Sequence, residues 1–384
     1  MRVAVVSGGD PGHVVPAMAL CLRFAAAGDT PVLLTGERWL AAAAGEGVEA
    51  ARVTGLALSD LTGCPDLGRA LHDQAAELAV ALVPRLRALA PDLVVCDVLA
   101  LGAGMAAELL GLPWVQLSPH PLYEPSRRLP PIGSGLAPGT GVRGRLRDAA
   151  LRAMTARSIR RGERQRAEVR QRVGLPARGP GPAARLIATL PALEVPRPDW
   201  PANAHVVGPL LWEASGETLT PPPGSAPLVM IAPSTAWTGS TGMAETTLEA
   251  VRDLGVRAVV STFAPLGGLP DWARSGPGAQ DELLRQSSVL VCGGGHGMLA
   301  KALRAAVPVV VVPGGGDQWE MANRVARQGS GVIVRPPTEA GLRAAVTRVL
   351  DDPRFADAAA EAAASGNDVR DPVEVCRTVW SLAR

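Results

Sequence analysis

An α/β protein of two doubly wound, parallel-sheet domains facing a central cleft is what the sequence predicts, and three observations carry that reading. Short β-branched runs alternate with longer Ala/Leu/Arg-rich segments, the pattern of parallel strands joined by crossover helices. A stretch rich in Pro, Gly and Ser and without periodicity, GPLLWEASGETLTPPPGSAP at 208–227, interrupts the alternation. Each half starts afresh with an apolar strand, RVAVVS and then PLVMIAP. The implied division is 1–210, then 211–366, with 367–384 a terminal helix returning to the first domain.

In the first half the strand candidates are Arg2–Ser7, Pro31–Thr35, Asp92–Asp97, Trp114–Leu117, Arg185–Leu190 and His205–Val207. Helical patterns fall between them, at Val14–Ala27, Leu67–Leu89 and Gly102–Leu110. In the second half the strands are Leu228–Ala232, Val256–Ser261, Val289–Cys292, Val309–Val312 and Gly331–Val334. The helices there are Met243–Leu254, Leu299–Ala306, Gln318–Gln328 and Glu339–Leu350.

Composition narrows the function. With 384 residues, 47% hydrophobic and 19% charged, the chain can bury two ordinary cores. A formal charge of +2 gives no electrostatic case for nucleic acid. The basic excess is local, between Arg143 and Arg172, and reads first as a solvated helix, with contact with anionic lipid or phosphate as the lesser alternative. Five scattered cysteines form no CxxC pair, so neither a disulfide framework nor a zinc site is suggested, and a reducing cytoplasm fits. The N-terminus is too short in apolar residues for a signal peptide, and no apolar stretch reaches spanning length.

In doubly wound sheets ligands bind beyond the carboxyl ends of the strands, so the loops there hold the chemistry. The first, GGDPGHVVP at 8–16, has Asp10 and His13 where a dinucleotide fingerprint needs glycines. What remains is His13 at a helix mouth, where the helix dipole disfavours imidazolium and keeps the ring able to accept a proton near neutral pH. Asp97 ends DLVVCD at the same sheet edge and is placed to hold one imidazole nitrogen, as a general base requires, or to cap the following helix.

The stretch GHVVPAMALCLRFAAAGDTPVLLTG resembles the opening of GT-B glycosyltransferases, whose fold is two Rossmann-like domains. The resemblance is to the macrolide-type branch of the family-one nucleotide-sugar enzymes, and it extends over nearly the whole chain. It implies that the first domain binds acceptor and the second binds donor. His13 would deprotonate the acceptor hydroxyl, oriented by Asp97. VCGGGHGMLAKALRAAVPVVVVPGGGDQWEMANRV looks like the donor loop, so Gly293, Gly294, Gly295, His296, Gly297 and Met298 would face a diphosphate. Asp317 and Gln318 would then meet sugar hydroxyls, Ser234 and Thr235 phosphate, and Gln280 the donor. Physics agrees: backbone N–H groups at a helix N-terminus neutralise a departing diphosphate without metal, and glycines permit close approach. Loops 55–66 and 118–136, with Gly12, His120 and the lone tyrosine Tyr123, would receive an apolar small-molecule or lipid alcohol. No cofactor or metal is implied beyond a UDP- or dTDP-sugar co-substrate. Peripheral membrane contact is compatible.

Departures from the pattern keep alternatives open. The family's diphosphate histidine falls on Gly293 and its threonine on Met298. The nucleobase-stacking aromatic falls in Pro277-Gly278-Ala279, leaving Trp272 as a conceivable substitute. A degenerate GT-B chain that binds without transferring is therefore the alternative, followed by a peptidoglycan-type lipid-intermediate transferase and a GT-B epimerase.

Overall fold

A computed structural model describes residues 1–54, 64–213, 219–234 and 242–384. The strands in chain order are β1 Arg2–Val6, β2 Thr30–Thr35, β3 Glu49–Arg52, β4 Leu93–Asp97, β5 Trp114–Ser118, β6 Ala184–Ile187 and β7 Ala204–Val206, then β8 Leu228–Ala232, β9 Arg257–Ser261, β10 Ala273–Gly276, β11 Val289–Cys292, β12 Val309–Val311 and β13 Gly331–Ile333. The helices are α1 Pro11–Ala26, α2 Leu40–Gly45, α3 Leu67–Leu89, α4 Leu101–Leu109, α5 Gly141–Arg172, α6 Met243–Val251, α7 Gln280–Gln286, α8 His296–Arg304, α9 Gln318–Gln328, α10 Glu339–Asp351, α11 Arg354–Ala364 and α12 Pro372–Leu382.

They form two all-parallel sheets, ordered β3-β2-β1-β4-β5-β6-β7 and β10-β9-β8-β11-β12-β13. The two-domain α/β expectation therefore holds. The central strands β4, β8 and β11 are buried along their whole length, as strands covered by helices on both faces must be. Their unbroken apolar runs are what made them readable.

Edge elements were not so readable. β3 (EAAR) and β10 (ARSG) lack the β-branched signature and form by pairing with β2 and β9. α8 begins at His296 rather than Leu299, because the glycine loop hands directly into the helix.

The last helix returns to the first sheet. Val373, Val375, Cys376 and Val379 of α12 join the cluster built on Val3, Val5, Leu93 and Val115. Burying each such valine stabilises by roughly 1.5–3 kcal/mol at most. Arg377 adds an ion pair to the buried Asp29 at 2.9 Å. No described helix is long and apolar enough to cross a membrane.

In each sheet the chain reverses direction once, between β1 and β4 and between β8 and β11. A crevice opens at such a switch point because the flanking crossovers leave to opposite faces. The carboxyl ends of these four strands carry the residues described next.

Candidate active site

The first crevice holds a histidine–aspartate pair. His13 lies in the first turn of α1, which Pro11 opens at a position where a missing N–H costs nothing. The preceding loop is held by Arg38 and Trp39, whose side chains donate to the Gly9 carbonyl at 2.6 and 2.8 Å. His13 Nδ1 lies 2.9 Å from Asp97 Oδ2. A carboxylate only accepts, so Nδ1 carries the hydrogen and Nε2 is the nitrogen left for proton traffic. Asp97 is buried, and its Oδ1 accepts from the Leu99 N–H at 2.9 Å. It does not cap α4, whose N-cap residue is Ala100. Both carboxylate oxygens are thus committed, which fixes the pair.

The helix-dipole argument for a neutral His13 needs correction. Burial pulls its pKa down, but the charge and hydrogen bond of Asp97, with Asp10 and Asp317 adding, outweigh it and leave the pKa raised above 6.5. The ring is a stronger base than the dipole alone predicts.

Gly12 is exposed at the rim, with open space where a side chain would stand. His120 stacks on Tyr123 with ring centroids 4.3 Å apart. Its Nδ1 donates to the Pro121 carbonyl at 2.7 Å, and burial holds its pKa down. Tyr123 is less an acceptor contact than the sequence suggests. Its ring packs against the second domain's core, and its hydroxyl donates to Asp317 Oδ2 at 3.4 Å across the cleft.

The second crevice places Ser234, after β8, against Gly293, after β11. A Cβ on Gly293 would stand 2.7 Å from that of Ser234, so glycine is required there. At Gly295 and Gly297 a Cβ meets nothing within 4 Å. Gly294 takes φ +85°, and Gly295 opens α8 with no side-chain cap on its N–H groups. The mouth of α8 is therefore uncovered where an anion would bind.

Three neighbours sit differently from expectation. Gln318 does not offer its amide to the crevice: Nε2 donates to Ser234 Oγ at 3.0 Å, and Oε1 accepts from Gly314 N–H at 2.8 Å. His296 points away from the glycine mouth into the domain interface. Its pKa falls to about 3 through burial, and its ring donates to the Pro119 carbonyl. The neutral Nε2 must then accept from the Thr189 hydroxyl at 2.9 Å. Met298 packs on the second core instead of lining the loop.

Asp317 is exposed and makes no capping bond, so its carboxylate remains presented to the cleft. Gln280 opens α7, bonded to Ser261 Oγ at 3.2 Å and to Lys301 Nζ at 3.3 Å. Trp272 precedes β10 at the amino-terminal end of the sheet, opposite the glycine loop, so it is no substitute for the stacking aromatic. Thr235 and residues 55–63 lie outside the described residues.

Sequence reasoning missed the groups that join the halves. Glu320 of α9 accepts from the N–H groups of Gly133 and Gly135 at 3.2 and 3.1 Å. Arg324, also of α9, donates to the Leu193 carbonyl. Only the charged spacing of α9 hinted at them. No cluster of three metal-ligating side chains occurs among the described residues.

The comparisons with known proteins bear on the family and the fold. The family described as erythromycin biosynthesis protein CIII-like, C-terminal domain, matches residues 262–382. The chain is 32% identical over 305 residues to a 4'-demethylrebeccamycin synthase of Lentzea aerocolonigenes, covering 74% of this chain and 72% of that one. It is 30% identical to a PGL/p-HBAD biosynthesis rhamnosyltransferase of Mycobacterium bovis, over 73% of this chain and 65% of that protein. Among solved structures, the glycotransferase of kitacinnamycin superposes with a TM-score of 0.75 at 23% identity, over 99% of this chain and 98% of the other. The spinosyn rhamnosyltransferase SpnG gives 0.72 at 23%, over 99% and 100%.

Proposed function

Since the chain belongs to the natural-product branch of the family-one glycosyltransferases, we propose that it transfers a sugar from a nucleoside diphosphate to a hydroxyl of an apolar acceptor, with inversion and without metal. The observation that carries this is the fixed His13–Asp97 pair at one switch point together with an uncovered helix mouth at the other.

His13 Nε2 takes the acceptor's hydroxyl proton while Nδ1–H stays on Asp97. The oxygen forms its bond to the anomeric carbon from the face opposite the leaving group, whose carbon–oxygen bond breaks. The electron pair leaves on the diphosphate, which settles on the N–H groups opening α8. Imidazolium forming at His13 is stabilised by the buried Asp97 beside it. Asp317, open to the cleft, is placed to accept from sugar hydroxyls. Gln318 acts one step back, by fixing the Ser234 hydroxyl. A thymidine-diphosphate donor is favoured by the solved relatives, two of which hold thymidine diphosphate. An apolar acceptor is favoured by one that holds spinosyn aglycone.

A second reading, a binder that has lost efficient transfer, is favoured by Gly293 and Met298 where the family resemblance implies a histidine and a threonine. One experiment separates the two. The protein is incubated with dTDP- and UDP-hexoses and a panel of apolar phenols and macrolactones, and products are read by mass spectrometry. Transfer by the wild type, lost in His13→Ala at unchanged donor affinity, supports the enzyme. Donor affinity without transfer or donor hydrolysis supports the binder.

A further inference from the structure

We propose that the outward face of α5 is a docking surface for an anionic lipid bilayer. The helix runs 32 residues, so it is about 48 Å long. It contains eleven arginines against three acidic residues, a net of +8 in a chain whose total is +2. The rest of the molecule is thus acidic on balance, and the positive charge is concentrated on this one element.

The arrangement along the helix matters more than the count. Positions 142, 146, 149, 153, 157, 160 and 164 recur at three- and four-residue spacing, so they share one face. The first part of that face is apolar and turned to solvent: Val142 is 71% exposed and Leu146 65%, with Met154 beside them at 76%. The second part carries Arg157, Arg160 and Arg164, all exposed. None of these three arginines has an ion-pair partner among the described residues. None of the seven positions is acidic; Glu163 and Glu168 border the arginines, and Glu168 is paired with Arg69. By contrast, Arg161, Arg170 and Arg172 are held by Asp66, Glu108 and Asp73 of neighbouring elements. Those three arginines are tied to neighbouring elements, whereas Arg157, Arg160 and Arg164 have no ion pair within the described chain.

An aliphatic stripe continuing into unpaired arginines matches a surface that is oily below and anionic above. The aliphatic side chains enter the acyl boundary while guanidinium groups stay at the phosphates. A protein partner fits less well, since the face offers no aromatic anchor and no pocket around which a specific interface is usually built. The helix is also tied to the acceptor-side loop: Arg152 and Arg147 donate to the carbonyls of Leu129 and Ala137, and Asp148 accepts from Gly139 N–H. Docking here would bring the segment that follows His120 and Tyr123 close to a lipid surface. An apolar acceptor concentrates in such a surface.

The test is co-sedimentation of the whole protein with phosphatidylcholine vesicles, with and without phosphatidylglycerol, at low and high salt. It needs neither sugar donor nor acceptor, so it can fail independently of the transferase reading. Wild type is expected to pellet with the anionic vesicles, to stay in solution with the neutral ones, and to be released by salt. Changing Arg157, Arg160 and Arg164 to Gln together should weaken binding on the order of 100-fold, at about fivefold per arginine. A second variant, Val142→Ser, Leu146→Ser and Met154→Ser, should also lose binding, with circular dichroism unchanged because these side chains are mostly exposed to solvent. Failure of wild type to pellet with anionic vesicles overturns the proposal. So does binding that survives in either variant.

Discussion

Replacing Asp97 by Asn is the sharpest probe of the His13–Asp97 pair, because the structure dictates which way the new amide must turn. Each oxygen of Asp97 has one donor: Oδ2 takes His13 Nδ1–H and Oδ1 takes the Leu99 N–H. Asparagine has a single acceptor oxygen for those two donors. Turning the NH2 toward Leu99 would leave a buried backbone N–H facing another donor, which costs about 1–3 kcal/mol. The amide oxygen therefore goes to Leu99 by a factor of about ten to a hundred. The NH2 then faces His13, forces Nδ1 to accept, and moves the ring hydrogen to Nε2. That tautomer cannot take a proton from an acceptor hydroxyl. The expected loss in kcat is on the order of 10²–10⁴-fold, with donor affinity within about twofold because no donor contact changes.

The pH profile adds a second readout. The neutral ring is the base, so kcat/KM rises with pH through the His13 pKa, which lies above 6.5. Asp97 is the largest influence raising it, so the limb should move to lower pH in the variant. Steady-state transfer followed by chromatography measures both quantities. An Asp97→Asn protein keeping more than about a tenth of wild-type kcat would refute the tautomer argument.

Three further outcomes follow from other parts of the site. His296 protonates in the unfolded chain near 6.5 but resists in the folded one until about 3, so acidification through that window favours unfolding. His296→Gln should recover roughly 3 kcal/mol of the stability that wild type loses between neutral pH and about pH 4, and equal acid slopes in denaturant melts would contradict this. Gly293→Ala, meeting Ser234 Cβ at 2.7 Å, should cost about 1–3 kcal/mol and weaken nucleoside diphosphate binding in calorimetry. An unchanged melt would mean the two loops are not in contact. Transfer should proceed equally in EDTA and in added magnesium, and activity abolished by chelation and restored by metal would exclude the helix mouth as the diphosphate's only counter-charge.

Much of the site was legible because doubly wound sheets turn order in sequence into position in space. A residue at the end of a buried apolar run lies at the carboxyl edge, so His13, Asp97, Ser234 and the Gly293–Gly297 loop could be grouped before any coordinate was known. Which side chains bond across that edge was not legible. Gln318 and Ser234 are 84 positions apart, and Thr189 and His296 are 107 apart. The first pair is set by how two loops of one sheet edge meet and the second by how the two domains meet, and local spacing carries no trace of either. The protonation of His13 was misjudged for the same reason. A helix dipole is a local property, whereas Asp97 and Asp317 arrive from distant strands and loops and raise the ring's pKa against the burial that lowers it.

The glycine loop's departures from its relatives are linked to one another rather than independent losses. Gly293 lies under Ser234, Gly294 under Val311, and Gln318 closes over Ser234 from the far side. A histidine at 293 would displace the Ser234 backbone, whose nitrogen stands 3.3 Å from the Cβ it would bring. Putting the relatives' side chain back should therefore damage this loop instead of improving it. Three positions after Gly293, where the resemblance implies a phosphate-facing histidine, His296 is bonded instead to the acceptor-side domain. The N-terminus of α8 is thus positioned by Thr189 and Pro119 as well as by its own strand. With the His296 ring turned away from the mouth, the diphosphate binding proposed above would rest on backbone N–H groups, and so on how firmly the two domains hold α8 in place.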